Sequence, residues 1–341
     1  MSGYLYPGKE WEMCRPEDEG IDSGVLESAL AAMGEAFGVN GIRTTVVTRR
    51  GSLVWTGVEA RLPCNIRSCT KVMTSTVFGL MIEDGLCKPD TKAAAIRSEL
   101  IGDYDEIELR HFANMTSGYN AVGGVYGIDL ISDGSPTPWV PNPPVFLPPG
   151  SQFHYHDDAM RMFGHVMQTL AGTALDGIFR GRIAERIGIR QYFWPEYLAN
   201  GAGSDPASSF TVSAEDLTRI GLLYLSGGFW DGVRLIDPDY VAAATRSRTS
   251  GIPKYAGPIY RGVYTSENYG YGWWVQESSE GEFSIPNLPA GSFFASGYNR
   301  NRMYVVPEWD MVITRTGEDG LSSHDRKVWG DFFGALSGAL N

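Results

Sequence analysis

The pattern of hydrophobic and polar positions predicts strands near both ends of the chain. Near the N-terminus, residues 43–49 and 52–56 alternate on either side of Arg50-Gly51, which is typical of a β-hairpin. Near the C-terminus, three similar runs are separated by short polar or proline-containing turns, at residues 293–296, 302–306 and 311–315. One sheet could therefore draw its strands from both ends of the chain.

Between these strands, apolar residues recur at helical spacing. The pattern predicts helices over residues 72–84, 158–171, 175–187 and 214–225, and an amphipathic last helix over 325–340. We therefore expect an α/β (α+β) fold, with an antiparallel sheet flanked by helices and a mainly helical insertion. Residues 119–149 are rich in Gly, Pro, Ser and Asn and predict a long loop. This loop is either a mobile surface insertion or, as we favour, a pocket wall.

Composition excludes several classes of partner. The 341 residues carry a net charge of −12, which argues against a nucleic-acid partner and against binding to an anionic membrane surface. Solubility is the favoured explanation of this acidity. The N-terminus lacks the basic region followed by an apolar region that is typical of a secretory signal. No apolar run in the sequence reaches membrane-spanning length. Four cysteines without C-x-x-C spacing favour reduced thiols and a cytoplasmic protein, although a mature form without its leader stays open.

Ser68-Cys69-Thr70-Lys71 is the first candidate for chemistry. On a helix, residues i and i+3 share a face, so Lys71 stands beside the Ser68 hydroxyl. A serine hydroxyl is a poor nucleophile until a neighbouring base accepts its proton, and a buried lysine can share in that transfer. The S-x-x-K pattern alone is weak, because a capping serine followed by a solvated lysine would read the same way. A second segment supports it: Pro149-Gly150, then Phe153 and Tyr155, precede the predicted helix that contains Phe163-Gly164.

Together these segments resemble the class C-type β-lactamase and penicillin-binding-protein-like superfamily, which includes esterases, D-aminopeptidases and 6-aminohexanoate oligomer hydrolases. The resemblance runs from about Trp11 to the C-terminus and implies a β-lactamase/DD-peptidase-like fold. With the strand pattern, it predicts a sheet domain of residues 1–66 and 205–341 and a mainly helical domain of 67–204, together forming one catalytic unit. Further similar segments occur in the same order, at residues 107–119, 210–217, 269–274 and 295–297.

The resemblance also implies roles for individual residues. Ser68 would attack an ester or amide carbonyl, and Tyr155, as phenolate or through a hydrogen bond to Lys71, would accept the proton and pass it to the leaving group. The oxyanion hole would consist of the Ser68 N–H and one N–H of the strand that bears Ser296 or Gly297. Ser296 could also bind a substrate carboxylate or carbonyl.

Two positions depart from the family pattern. Asp157 stands where the family usually has Asn, and an ionised Asp only accepts hydrogen bonds. It could bind a substrate N–H or ammonium, or it could merely cap the next helix. Ala295 stands where β-lactamases carry a lysine, so the usual cation for a β-lactam carboxylate is missing. Both departures predict poor turnover of anionic β-lactams and favour neutral esters and amides.

The leading hypothesis is a serine hydrolase that acts on a small-molecule ester or amide through an acyl-Ser68 intermediate. Alternatives are an acyltransferase with the same chemistry, a true β-lactamase or D-aminopeptidase, and, less favoured, a non-catalytic ligand-binding relative. The oligomeric state is unknown, and no metal or cofactor is expected. His154, His156 and Asp158 do open a zinc-like H-x-H-x-D pattern, but the next residue is Ala159 rather than the usual His. Aromatic residues that could shape an acyl pocket, although most should be core residues, are Tyr126, Trp139, Trp194, Tyr264, Trp273 and Phe294.

Overall fold

A computed structural model describes residues 3–38, 40–122, 137–195, 205–257, 268–277, 285–320 and 325–340. Its main sheet has six antiparallel strands in the order β10-β11-β12-β13-β1-β2. These strands are β1 (Thr45–Arg49), β2 (Ser52–Thr56), β10 (Trp274–Val275), β11 (Phe293–Gly297), β12 (Asn301–Val306) and β13 (Met311–Arg315). The predicted antiparallel sheet with strands from both ends of the chain is confirmed, because β1 pairs directly with β13.

The predicted hairpin is also confirmed. Arg50 and Gly51 both have positive φ angles, of 50° and 84°, between the paired strands β1 and β2. Two successive left-handed residues match the twist of the flanking strands in a two-residue hairpin.

The helices follow the predicted pattern with one exception. Residues 175–187 are predicted as one helix, but the α-helix ends at Phe179 and a π-helical turn, Arg180–Ala184, follows it. Gly177 and Gly181 lack the side chains that favour a regular helix, which weakens this segment. The eight α-helices of the described residues are α1 (Ser23–Phe37), α2 (Thr70–Glu83), α3 (Leu109–Ala113), α4 (Asp157–Ala171), α5 (Leu175–Phe179), α6 (Ala214–Leu225), α7 (Pro238–Ala244) and α8 (Asp325–Ala339).

Helices cover both faces of the main sheet. On one face, Tyr304 of β12 contacts Trp329 and Phe333 of α8, with ring centroids 4.7 and 5.0 Å apart. On the other face, α6 lies so close to the sheet that a Cβ on Gly221 would sit 2.5 Å from Val312. Helix α2 lies inside the protein, since its residues from Thr70 to Met81 are all buried. Such burial stabilises the helix that follows Ser68 far more than its local sequence does.

Short strands connect the segments around Ser68. A three-stranded sheet has the order β3-β7-β6, formed by Cys64–Asn65, Thr211–Val212 and Tyr192–Phe193. It fixes the chain just before Ser68 against the chain that follows residue 205. Within the long segment 119–149, residues 123–136 lie outside the described part, and the rest is not a plain loop because β4 (Asn120–Ala121) pairs with β5 (Pro141–Asn142). A further two-stranded ribbon joins β8 (Phe229–Trp230) to β9 (Val233–Arg234).

The cysteines are all unpaired, at Cys14, Cys64, Cys69 and Cys87. Over the part of the chain that the structure describes, no helix combines the length and apolar character needed to cross a membrane. The predicted division into domains at residues 66/67 and 204/205 stays a prediction.

Candidate active site

Ser68 lies on a strained turn that leads into helix α2. Arg67–Cys69 form a single 3-10 turn, and α2 begins at Thr70. Arg67 has a φ angle of 52°, which is unusual for a residue with a side chain, and its N–H donates to Asn65 Oδ1 at 2.9 Å. Backbone strain of this kind is found preferentially at functional sites. The turn leaves Ser68 partly exposed while Cys69 is buried.

Lys71 is buried, with 1% of its side chain exposed, and lies at the centre of the site. Its Nζ donates to Ser68 Oγ at 2.9 Å and to the Ala207 carbonyl at 2.9 Å, and it lies 2.7 Å from Asp157 Oδ1. An ammonium group has three donors, and here each has an acceptor within reach. The predicted Ser68–Lys71 neighbourhood is therefore present in the structure.

Tyr155 contacts both a cation and an indole ring. Lys71 Nζ lies 4.8 Å from the centroid of the Tyr155 ring, a distance at which a cation is attracted to the ring. Trp274 of β10 stacks on Tyr155, with centroids 5.3 Å apart and planes 21° apart. Tyr269 contacts the Tyr155 ring edge-on. Three neighbours thus fix the position of this ring beside the Ser68–Lys71 pair.

Asp157 does not have the capping role considered from the sequence. The N-cap of α4 is His156, whose Nδ1 accepts a hydrogen bond from Ala159 N–H at 3.3 Å, so that alternative is wrong. Asp157 is instead the first helical residue, and its carboxylate faces Lys71. Burial would raise the pKa of Asp157, but the nearby cations Lys71 and then Arg161 outweigh this and hold that pKa below its usual range. Asp157 is therefore ionised near neutral pH.

The Lys71–Asp157 ion pair changes the electrostatics expected from the sequence. Asp157 was expected to repel a substrate carboxylate, but its charge is balanced by Lys71 at 2.7 Å. The missing family lysine at Ala295 is then the remaining reason to expect poor binding of anionic β-lactams.

Ser296 and Gly297 lie on β11, which passes beside the turn that carries Ser68. A Cβ on Gly297 would lie 2.2 Å from the Ile66 carbonyl oxygen and 3.3 Å from Arg67 Cβ, so only glycine permits this approach. Strand β10 pairs with β11 at Phe293 and Phe294, and no other described strand pairs with that edge of Ser296 or Gly297. An unpaired strand edge beside a nucleophile offers N–H groups to a developing oxyanion.

A second layer of buried residues supports Lys71, and no local sequence pattern marks these residues. Asp205 accepts a hydrogen bond from Ala207 N–H at 3.1 Å, which folds the chain so that the Ala207 carbonyl faces Lys71. Arg161, four residues after Asp157 on α4, lies 3.6 Å from Asp205. Both side chains of this pair are 4% exposed. These contacts link residues that are far apart in the sequence, so they become evident only in the folded structure.

The histidines of the zinc-like pattern make other contacts. The ring of His154 lies 4.7 Å from that of Tyr255 and 5.0 Å from that of His156. Burial, and then the neighbouring His156, lower the pKa of His154 to about 3, so it is neutral. Within the described ranges, no group of three or more His, Cys, Asp or Glu side chains is placed to hold a metal ion.

The aromatic residues proposed from the sequence are mostly buried. Trp194 donates through its indole N–H to the Asp205 carbonyl at 2.5 Å, and Trp273 is fully buried. Trp274, which stacks on Tyr155, was missed because its neighbour Trp273 fits the same aromatic strand pattern. Tyr126 and Tyr264 lie outside the described residues.

Comparison with known proteins agrees with this fold. No curated protein matches the chain. Solved structures that resemble it include a novel penicillin-binding protein homolog from Caulobacter crescentus, with 16% identity, 94% of this chain and 99% of that chain covered, and a TM-score of 0.68. Others are a hydrolase with promiscuous acyltransferase activity (14% identity, 92% and 98% covered, TM-score 0.69) and a family VIII carboxylesterase (15% identity, 96% and 99% covered, TM-score 0.66).

The family model described as Beta-lactamase matches residues 27–317, which include the turn that carries Ser68, Tyr155 and strand β11. This match spans most of the chain, and it agrees with the antiparallel sheet, the flanking helices and the resemblance seen in the sequence. The chain therefore belongs to the β-lactamase family.

Proposed function

We propose that this protein is a serine hydrolase that cleaves an ester or amide bond of a small-molecule substrate through an acyl-Ser68 intermediate. The observation that carries the proposal is the contact between Lys71 Nζ and Ser68 Oγ, at 2.9 Å, on a strained turn of a β-lactamase-family fold. A serine whose hydroxyl oxygen lies at hydrogen-bond distance from a buried lysine, with a tyrosine beside that lysine to act as base, fits an activated nucleophile.

In the acylation step, Ser68 Oγ bonds to the substrate carbonyl carbon, the carbonyl electron pair moves onto its oxygen, and the Ser68 proton moves to the phenolate oxygen of Tyr155. Lys71 stays an ammonium: its charge beside the Tyr155 ring favours negative charge on the phenol oxygen, and its N–H donates to Ser68 Oγ. When the tetrahedral intermediate collapses, the bond to the leaving group breaks and Tyr155 returns the proton to that group.

The oxyanion of the intermediate would be bound by the Ser68 N–H and by an N–H of β11 near Ser296 or Gly297. This assignment is supported by the close approach of Gly297 to Ile66 and Arg67, which brings β11 beside the turn that carries Ser68, and by the end of the β10 pairing at Phe294. Removing one such donor from an oxyanion hole typically costs 10²–10³ in kcat. Deacylation repeats these steps with water as the attacking group.

A second candidate function is acyl transfer, in which an alcohol or amine replaces water in the second step. The similar fold of a hydrolase with promiscuous acyltransferase activity favours this alternative. The chemistry at Ser68 is the same in both cases, and only the acceptor differs.

Turnover of a substrate panel by matched variants tests the proposal. The panel contains short-chain p-nitrophenyl esters, p-nitroanilides and nitrocefin, each with and without an added amine acceptor. We expect ester turnover much faster than nitrocefin turnover, abolished by Ser68→Ala and retained by Ser28→Ala, which alters an exposed serine of α1. Ester turnover that survives Ser68→Ala would overturn the proposal. Accumulation of the acylated amine would favour the acyltransferase over the hydrolase.

A further inference from the structure

The two oxygens of the Asp157 carboxylate have different environments. Oδ1 is buried and lies 2.7 Å from Lys71 Nζ. Oδ2 has no hydrogen-bond partner among the described residues and is not enclosed, and the side chain as a whole is 21% exposed. Oδ1 is therefore in ion-pair contact with Lys71, although it accepts no hydrogen bond of good geometry, and Oδ2 remains available to a molecule that enters the site.

This available oxygen lies close to the reacting atoms. Lys71 Nζ bridges Asp157 Oδ1, at 2.7 Å, and Ser68 Oγ, at 2.9 Å, so the carboxylate is at most two hydrogen-bond lengths from the nucleophile. Ser68 Oγ is the atom that would carry the acyl group. A donor a few bonds from the acyl carbonyl can therefore reach Asp157 Oδ2.

The chemistry of the carboxylate decides which groups it can bind. The neighbouring cations keep Asp157 ionised, as described above, and an ionised carboxylate accepts hydrogen bonds but donates none. Its net charge is balanced by Lys71, so what it presents to a substrate is chiefly an acceptor. A substrate carbonyl at this point would meet a second acceptor, whereas an N–H would form a charge-assisted hydrogen bond.

We propose that Asp157 is a specificity-determining residue whose Oδ2 accepts a hydrogen bond from an N–H on the acyl part of the substrate, close to the scissile carbonyl. The preferred substrates are then acyl compounds with an amide N–H or an ammonium at that place. This inference rests on the proposed acyl-Ser68 chemistry. A hydrogen bond to a charged group contributes enough to change kcat/KM on the order of 10–100-fold.

Three matched esters measure the effect of the substrate N–H on turnover. They are the p-nitrophenyl esters of N-acetylglycine, of 4-oxopentanoic acid, in which CH2 replaces N–H, and of N-acetylsarcosine, in which a methyl group replaces the hydrogen. The protein should prefer the N-acetylglycine ester over both analogues by on the order of 10–100-fold in kcat/KM, after subtraction of spontaneous hydrolysis. Glycine p-nitrophenyl ester shows whether an ammonium serves as well as an amide N–H. Equal turnover of the N-acetylglycine and 4-oxopentanoate esters would overturn the inference without any variant.

Asp157→Asn provides a sharper test. Lys71 would bind the amide oxygen of Asn, which turns the amide NH2 toward the place of Oδ2. A donor would then face the substrate N–H. The ratio of kcat/KM for the N-acetylglycine ester to kcat/KM for the 4-oxopentanoate ester should therefore fall to about one or invert. Because the ratio compares two substrates on one enzyme, a uniform loss of activity cancels.

Two controls separate this inference from the proposed function. Asp176→Asn, which alters a carboxylate on α5 that binds Arg180, should leave the ratio unchanged. Ser68→Ala should abolish turnover of every ester. Turnover lost with Ser68→Ala, but with no N–H preference, would overturn the role of Asp157 and leave the serine hydrolase standing. Turnover that persists in Ser68→Ala would overturn the proposed function, and with it this inference.

Discussion

Tyr155 and Trp274 stack face to face, with ring centroids 5.3 Å apart and planes 21° apart. Trp274 is on the edge strand β10, and Tyr155 lies just before α4, so this contact joins the main sheet to the helix that carries Asp157. Lys71 Nζ also contacts this ring, 4.8 Å from its centre. The position of Tyr155 is thus set by packing, and its hydroxyl group can be removed without removing that packing.

Tyr155→Phe should lower kcat by on the order of 10²–10⁴, the usual contribution of a general acid–base group. The melting temperature should change little, because Phe keeps the stacking with Trp274. Steady-state kinetics and thermal unfolding measure the two effects. The control is Tyr192→Phe, which removes a hydroxyl group that donates to Asp176 instead of contacting Lys71. This variant should keep kcat. Near-full activity of Tyr155→Phe with normal melting would make Tyr155 a structural residue only.

Gly297→Ala should reduce activity and stability together. Its Cβ would meet the Ile66 carbonyl oxygen at 2.2 Å, so either β11 or the nucleophile turn must move. Overpacking of this kind costs about 1–3 kcal/mol, and displacement of the strand should lower kcat at least about tenfold. Urea unfolding and ester kinetics provide the measurements.

The matched control for this substitution is Gly338→Ala in α8. No atom lies within 4 Å of the added Cβ there, and alanine in an exposed helix gains about 0.5–1 kcal/mol over glycine. The control should therefore be fully active and slightly more stable. Wild-type kinetics for Gly297→Ala would show that β11 does not need to approach the nucleophile turn this closely.

Much of this fold follows from the sequence because its elements are periodic. The hairpin at Arg50-Gly51 and the strand 311–315 are marked by alternation and turn residues that act locally. The Ser68–Lys71 contact follows from i, i+3 spacing on a helix. These relationships involve neighbours in the chain, which a pattern can detect.

The remaining parts of the site depend on contacts between distant segments. Neither the pairing of Asp157 with Lys71 nor the orientation of the Ala207 carbonyl by Asp205 has a local signal. The capping role of His156 was missed because Asp is the more common N-cap residue. In the folded protein His156 caps α4, and the Asp157 carboxylate contacts Lys71 instead.

Asp205→Asn tests the support behind Lys71. An asparagine can still accept the hydrogen bond from Ala207 N–H, but it removes the negative charge beside the buried Arg161. Loss of the ion pair with Arg161 should loosen this turn and lower kcat on the order of tenfold, with a smaller change in KM, because the Ala207 carbonyl is then held less firmly against Lys71. Steady-state kinetics on a short-chain ester measures the two constants. Equal changes in kcat and KM, or none, would make Asp205 irrelevant to catalysis.

Stability should fall as the pH is lowered from about 6.5, because buried histidines stay neutral in the folded protein. Burial lowers the pKa of His154 to about 3 and that of His111 to about 4, from a value of 6.5. Between pH 6.5 and these lowered pKa values, the unfolded chain binds protons that the folded protein does not bind. The free energy of unfolding therefore decreases as the pH decreases. The lowered pKa of Asp157 acts in the same direction at still lower pH: its contribution is lost as pH falls through its folded-state pKa.

Urea unfolding from pH 7.5 to pH 4.5 measures this dependence. In His154→Asn one titrating group is absent, so the slope of unfolding free energy against pH should be shallower than in the unmodified protein. The comparison of slopes holds even if the substitution destabilises the protein at pH 7.5. The same slope in both proteins would mean that His154 is protonated in the folded state.

The most direct test of the central claim is the mass of the trapped acyl-enzyme. The protein is reacted with a fluorophosphonate, or with a slowly deacylating ester, and the modified residue is located by intact mass and peptide mapping. We predict one adduct per chain, on the peptide that contains Ser68, and no adduct with Ser68→Ala. Ser68 is the residue with a lysine ammonium 2.9 Å from its hydroxyl oxygen. An adduct that persists at full stoichiometry in Ser68→Ala, on any other residue, would contradict the assignment of Ser68 as the nucleophile.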